Sequence, residues 1–114
     1  MKIKTIVELL QARVICGVDQ LESEVKNGFA SDLMSDVLTL DTDHLVLLTG
    51  LSNLQVIRTA EMADIFCIVI VRGKRVTKEM HHLAEENRIV LIETPYSMFR
   101  AISVLHDGGL NAVY

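Results

Sequence analysis

Three stretches of this chain place groups suited to holding a small anion directly after short apolar segments. Thr49-Gly50-Leu51-Ser52-Asn53 follows residues 45–48, Arg72-Gly73-Lys74-Arg75 follows residues 65–71, and Glu93-Thr94-Pro95-Tyr96-Ser97 follows residues 89–92. Ser31-Asp32 lies just beyond residues 24–29, a further candidate strand. The unpaired amides of a helix's first turn carry partial positive charge, and with Arg72 beside them they favour a negatively charged small molecule. Thr49-Gly50 has the outline of a phosphate-binding turn. The glycine spacing and following lysine of a P-loop are missing, and a plain strand-to-helix turn accounts for the same residues.

Other groupings raise other chemistry. Asp32 and Asp36, four apart, would be neighbours on one helical face, able to hold a magnesium ion or to divide acid and base roles. Asp32 is equally well placed to stabilise a helix N-terminus. His81 and His82 with Glu85 and Glu86 put imidazole and carboxylate on one turn, but surface pairing four residues apart explains them and no third ligand completes a metal shell. Cys16 and Cys67 have neither redox spacing nor histidine neighbours, and Cys67, inside the most apolar run, reads as an inert core thiol. Tyr96 either stacks on a flat ligand or covers the sheet edge. No nucleophile elbow, phosphate loop or zinc-protease motif is present, so no catalytic residue, metal or cofactor is assigned.

The elements that must position these groups follow from periodicity. Runs 45–48, 65–71 and 89–92 are short, rich in β-branched residues and free of alternation, as strands covered on both faces by helices require. Each break leads into a helical pattern. One helix runs to about Asp64 from a Ser52/Gln55 capping box, with Leu54, Ile57 and Met62 apolar, and one starts near Thr77 with Met80, Leu83 and Ala84 inward. The last opens at Thr94-Pro95, carries Phe99, Ile102 and Leu105, and stops at Gly108-Gly109. Upstream, Thr5 and Glu8 predict a capped helix over residues 5–11, and residues 14–16 a brief strand stopped by Gly17. Residues 24–29 predict a second strand, with Gly28 at a bulge or turn, and Ser31 or Asp32 caps a short helix through Leu33, Met34, Val37 and Leu38. Right-handed crossovers assemble these into an α/β fold, a small three-layer sandwich with a mainly parallel sheet of about five strands, one domain over residues 1–114. The apolar tail, residues 110–114, either packs back on the domain or reaches across a dimer.

Composition narrows the partners. Half of the 114 residues are hydrophobic and the mean hydropathy is +0.35, so a domain this small is expected to hide leftover apolar surface by self-association as a homodimer. No apolar stretch approaches the roughly 20 residues that span a bilayer, and the opening Met1-Lys2-Ile3-Lys4 lacks a signal core, which predicts no membrane partner and a cytoplasmic location. A net charge of −4 argues against a nucleic-acid backbone as partner. The basic cluster Arg72, Lys74, Arg75 and Lys78 is local, and a solvated loop accounts for it.

The segment Asn27-Gly28-Phe29-Ala30-Ser31-Asp32-Leu33-Met34-Ser35-Asp36-Val37, with residues 68–94, resembles a stand-alone DRTGG domain, and the resemblance covers nearly the whole chain. Its most specific piece, residues 28–36, is similar to the GYxSDLLSDV stretch of short family members. Val71-Arg72-Gly73-Lys74 before a helix and Thr94-Pro95-Tyr96-Ser97 at the last strand end support it. The Asp-Arg pair of the family name falls at Ser52-Asn53 and its Thr-Gly-Gly at Arg72-Gly73-Lys74, a departure usual among short members. The resemblance implies an α/β domain of the type inserted in phosphotransacetylases and CBS-containing pyrophosphatases, with a relative at the front of HPr kinases. In those proteins it is an accessory module, contributing to subunit contacts or regulation.

The expectation is therefore a non-catalytic regulatory or protein-interaction module that senses an anionic small molecule, a nucleotide or phosphorylated metabolite. Its ligand site would be lined by Ser31, Asp32, Thr49, Gly50, Ser52, Asn53, Arg72, Gly73, Thr94 and Tyr96. The alternatives are a metal-assisted enzyme acting on a phosphorylated or acyl substrate through Asp32 and Asp36, and a structural partner of a larger enzyme docking through the apolar tail.

Overall fold

Apolar runs without alternation must be covered on both sides. In the computed structural model, which describes residues 1–114, the central strands β3 (Leu45–Thr49), β4 (Cys67–Ile70) and β5 (Val90–Glu93) are buried along their whole length. Successive side chains point to opposite faces. Leu45, Leu47, Ile68, Ile70 and Leu91 therefore join one core, while Val46, Leu48, Cys67, Val69, Val90 and Ile92 join the other.

The first core is closed by α2 (Met34–Val37), α3 (Leu54–Met62) and α4 (Lys78–Glu86), through Met34, Val37, Val56, Ile57, Ala60, Met80 and Ala84. The second is closed by α1 (Ile3–Leu9) and α5 (Met98–Asp107), through Ile3, Ile6, Ala101 and Leu105. With β1 (Arg13–Cys16), β2 (Asn27–Ala30) and β6 (Asn111–Ala112), the sheet runs β1-β5-β4-β3-β2-β6. All pairings are parallel except β1 with β5. The chain thus steps β2 to β5 with its helices on one face, then returns through α5 on the other to lay β6 beside β2.

This is the expected α/β three-layer sandwich, with six strands in place of about five. The sixth comes from the tail, which packs back on the fold. Leu110 is buried, Asn111 and Ala112 pair with Asn27 and Gly28, and Tyr114 meets Phe29 edge to face with ring centroids 6.4 Å apart. Gly28 makes no bulge. It pairs in regular register with Val46, and a Cβ there would come within 2.8 Å of Leu110 Cδ2. The register shift lies instead in β1, between Val14 and Cys16.

Helix starts depart from the expected caps for identifiable reasons. α1 begins before Thr5 because Ile3 and Lys4 donate their N–H groups to the Ser23 and Leu21 carbonyls, so the first turn has backbone partners and no Thr5/Glu8 box forms. At α3 the cap is Asn53, which accepts from Val56 N–H at 3.2 Å, while the Ser52 hydroxyl donates to the Arg75 carbonyl. At α5 the cap is Ser97 rather than Thr94, whose hydroxyl is committed elsewhere. Thr77 caps α4 as expected. Met62 and Phe99 are exposed, and Val56, Ala60 and Ala101 occupy the inward positions.

Helix ends share one device. The residues after the caps of α1, α3 and α4, namely Gln11, Asp64 and Arg88, are left-handed, as is Gly109 after α5. In each case the next N–H reaches back to close the last turn: Ala12 to Val7, Ile65 to Ala60, Ile89 to Ala84 and Leu110 to Leu105. No helix is long and apolar enough to cross a membrane.

Both thiols are buried. Burial pushes the Cys67 thiol up to about 12 and raises that of Cys16, whose S–H donates to the Ile89 carbonyl. Because a raised pKa leaves less thiolate at a given pH, Ellman's reagent at pH 8 is expected to label neither cysteine in the folded protein and both in denaturing urea. Leu110→Ala should lower the unfolding free energy by about 2–3 kcal/mol in urea titration, and a change near zero would mean that the tail is not docked.

Candidate functional site

Neighbouring strands β4 and β5 send their connections to opposite faces, α4 to one and α5 to the other. In an open parallel sheet the helices part at such a place and leave a crevice beyond the strand C-termini. A cavity of about 210 Å³ lies there. Its wall is built from the residues following β4 (Gly73, Lys74, Arg75), the last residue of β5 and the turn after it (Glu93, then Thr94 and Pro95), Gln11 from the α1–β1 connection and Arg13 at the start of β1.

Glu93 organises this wall. Although buried, its carboxylate has partners on both oxygens. Oε1 accepts from Arg13 Nη2 at 2.9 Å and lies 3.4 Å from Arg75 Nη1, while Oε2 accepts from Val76 N–H at 2.6 Å. The two arginine side chains are mostly exposed. Lys74 enters no ion pair. The cavity wall therefore carries three cationic residues and one carboxylate, a net formal excess of two positive charges.

Thr94 anchors the other side. Its buried hydroxyl donates to the Leu10 carbonyl at 2.8 Å and accepts from Tyr96 N–H at 3.2 Å, so the end of α1 and the turn after β5 share one oxygen. Arg72 follows β4 with a left-handed backbone, φ 65°, and is held there by N–H bonds from Arg72 to the Tyr96 carbonyl and from Gly73 to the Thr94 carbonyl. A non-glycine residue is kept in that conformation only where its surroundings enforce it. Tyr96 stacks against the Arg100 guanidinium, 3.9 Å from the ring centroid.

The remaining expected residues lie along the ends of β2 and β3. Asp32 Oδ1 accepts from Gly50 N–H at 2.6 Å and from the Thr49 hydroxyl at 3.0 Å. Asp32 Oδ2 and the Arg72 guanidinium flank Gly50 on the side where a Cβ would stand, both about 3.3 Å from that point. Gly50 thus lets the two charged groups approach the strand end. Ser31 Oγ accepts from Leu33 N–H, and Ser52 and Asn53 are engaged with the Arg75 loop and the α3 cap as described above. Nine of the ten expected residues accordingly divide between a cluster at β2–β3, with Arg72 leaning onto it, and the crevice at β4–β5, which contains Gly73 and Thr94, while Tyr96 lies outside the crevice against Arg100.

Asp32 and Asp36 do not share a helical face. Asp32 precedes α2 and spends one oxygen on β3, whereas Asp36 lies within that four-residue helix. His81 and His82 pair with Glu85 and Glu86 on the exposed side of α4, as ordinary surface pairs. Sequence reasoning did not assign Gln11, Arg13, Lys74, Arg75 or Glu93 to the site. The signals available were the basic cluster at 72–78 and a carboxylate closing an otherwise apolar strand. Arg13 carried none, since only the antiparallel pairing of β1 brings it to Glu93.

No curated protein sequence matches the chain. Among solved structures it is similar to the CBS and DRTGG domains of the regulatory region of Clostridium perfringens pyrophosphatase, a crystal structure complexed with the activator diadenosine tetraphosphate. The TM-score is 0.76 at 16% identity, over 91% of this chain and 45% of that one. At that identity the likeness is one of fold, and the chain spans less than half of the pyrophosphatase region. The DRTGG domain family matches residues 5–107, so the chain belongs to the DRTGG domain family.

Proposed function

We propose that this protein is a non-catalytic regulatory module that binds an anionic small molecule, a nucleotide or phosphorylated metabolite, at the C-terminal ends of its strands. The observation that carries this reading is the crevice between β4 and β5, whose wall carries Arg13, Lys74 and Arg75 against a single carboxylate. Its position where crossovers diverge is the usual one for ligands in this class of sheet. The similar pyrophosphatase regulatory region, complexed with a nucleotide activator, supports the same reading. The hydroxyls and carboxylates at the strand ends are absorbed by hydrogen bonds within the fold, which favours binding over catalysis.

Self-association as a homodimer belongs to the proposal. Phe99 is 85% exposed and Ile102 42% exposed, three residues apart on α5, and together they form an uncovered apolar strip. With Leu110 buried in the fold, this helix offers a surface for a second copy or a larger enzyme that does not require the tail to leave its place.

Calorimetric titration with ATP, AMP and inorganic pyrophosphate should show binding by at least one of them. Lys74→Ala should weaken it by at least about tenfold, the effect of losing one charge-assisted hydrogen bond of about 1.5–3 kcal/mol. Absence of heat at millimolar concentrations of all three would overturn the ligand reading. Light scattering should give a mass near twice 12.7 kDa for the native protein and near that value for Phe99→Glu. A monomeric native protein would remove self-association from the proposal.

A further inference from the structure

We infer that the β4–β5 cavity is a subsite for a terminal phosphoryl group, a phosphomonoester or pyrophosphate end, and that it discriminates against internal phosphodiesters. The inference rests on the ligand-site reading above and narrows it to one chemical form.

Size is the first ground. At about 210 Å³ the cavity is smaller than the roughly 300–1,000 Å³ that enclose whole drug-sized ligands. It accommodates a head group and leaves the rest of the molecule at its mouth.

Charge is the second. Arg13, Lys74 and Arg75 minus Glu93 give a net formal excess of two positive charges. A phosphomonoester near neutral pH carries close to two negative charges and three acceptor oxygens, so it matches both the charge and the number of cationic side chains. A diester carries one negative charge and has only two unesterified oxygens, which leaves a cation unmatched.

Glu93 is the third ground, and it acts in the opposite direction from the cations. Its Oε1 engages Arg13 and Arg75, while Oε2 is held by Val76 N–H at 2.6 Å. The carboxylate is therefore fixed in the wall through both oxygens, and its charge repels any anion that enters. A like charge in the wall lowers affinity, and a dianion experiences twice the repulsion of a monoanion as well as twice the attraction. Glu93 thus holds affinity down, as a reversible sensor requires, without abolishing the preference for the dianion.

The test uses methyl phosphate and dimethyl phosphate at pH 8, followed by NMR chemical shifts of the full chain at constant ionic strength. Methyl phosphate is expected to bind at least about tenfold more tightly than dimethyl phosphate, with shifts centred on residues 73–76 and 93–95. Glu93→Gln, which keeps an oxygen for Val76 N–H, is expected to tighten methyl phosphate about tenfold. Equal affinities for the two probes in the native protein, or weaker or unchanged binding of methyl phosphate by folded Glu93→Gln, would overturn the inference and leave the wider ligand reading intact. If Glu93→Gln does not fold, the comparison of the two probes on the native protein decides. No binding of either probe by either protein, together with no binding of nucleotides, would overturn both.

Discussion

Complete burial of β3, β4 and β5 on both faces is the constraint from which the rest of the fold follows. A strand with no exposed face cannot be completed by its neighbours alone, so each step across the sheet has to supply a helix, and both faces need helices within 114 residues. The chain meets this with three crossovers on one side, then a return on the other that also brings in β6. Right-handedness is preserved in both directions, because reversing the direction of travel along the sheet moves the helix to the opposite face. The reversal falls after β5, and the crevice beside Glu93 and Thr94 is its geometric by-product.

That crevice explains why charged residues are found so close to a core with no tolerance for them. Glu93 sits one residue beyond Ile92, which is fully buried, at the last place along β5 where arginines from two other elements are within reach. A buried carboxylate without such partners would be strongly destabilising. Arg13 arrives from the antiparallel edge strand and Arg75 from the loop after β4, so one side chain ties together segments separated by about eighty residues. Thr94 repeats the arrangement with neutral groups, joining α1 to the turn after β5 through one hydroxyl.

Much of this was legible in the residues. Apolar runs at 45–48, 65–71 and 89–92 identified the central strands because two-sided burial removes the alternation that would otherwise obscure them. Thr77 identified a helix start because no competing partner claims its hydroxyl. The illegible features are those decided by distant backbone. Thr94 resembles a cap but is claimed by Leu10, eighty-four residues away, and Thr5 lies inside a helix whose first amides are satisfied by Leu21 and Ser23. The left-handed ends at Gln11, Asp64 and Arg88 lack the glycine that marks such positions in sequence. At the site, the polar breaks pointed to the strand ends in general. Which pair of strand ends opens a crevice depends on the face each helix takes, and helical periodicity is the same on either face.

The two-residue β6 has a consequence for the state of this protein in solution. A chain that is half hydrophobic, built on a sheet of mainly parallel strands, is the kind whose unpaired edges recruit copies of themselves into aggregates. Here one border is β1, a four-residue antiparallel strand broken by a register shift and beginning at the charged Arg13. The other is β6, covering only Asn27 and Gly28 before the ladder ends. Neither border offers a long flat template for addition of another strand, so the fold keeps its most aggregation-prone segments, β3 to β5, at least one strand away from any edge.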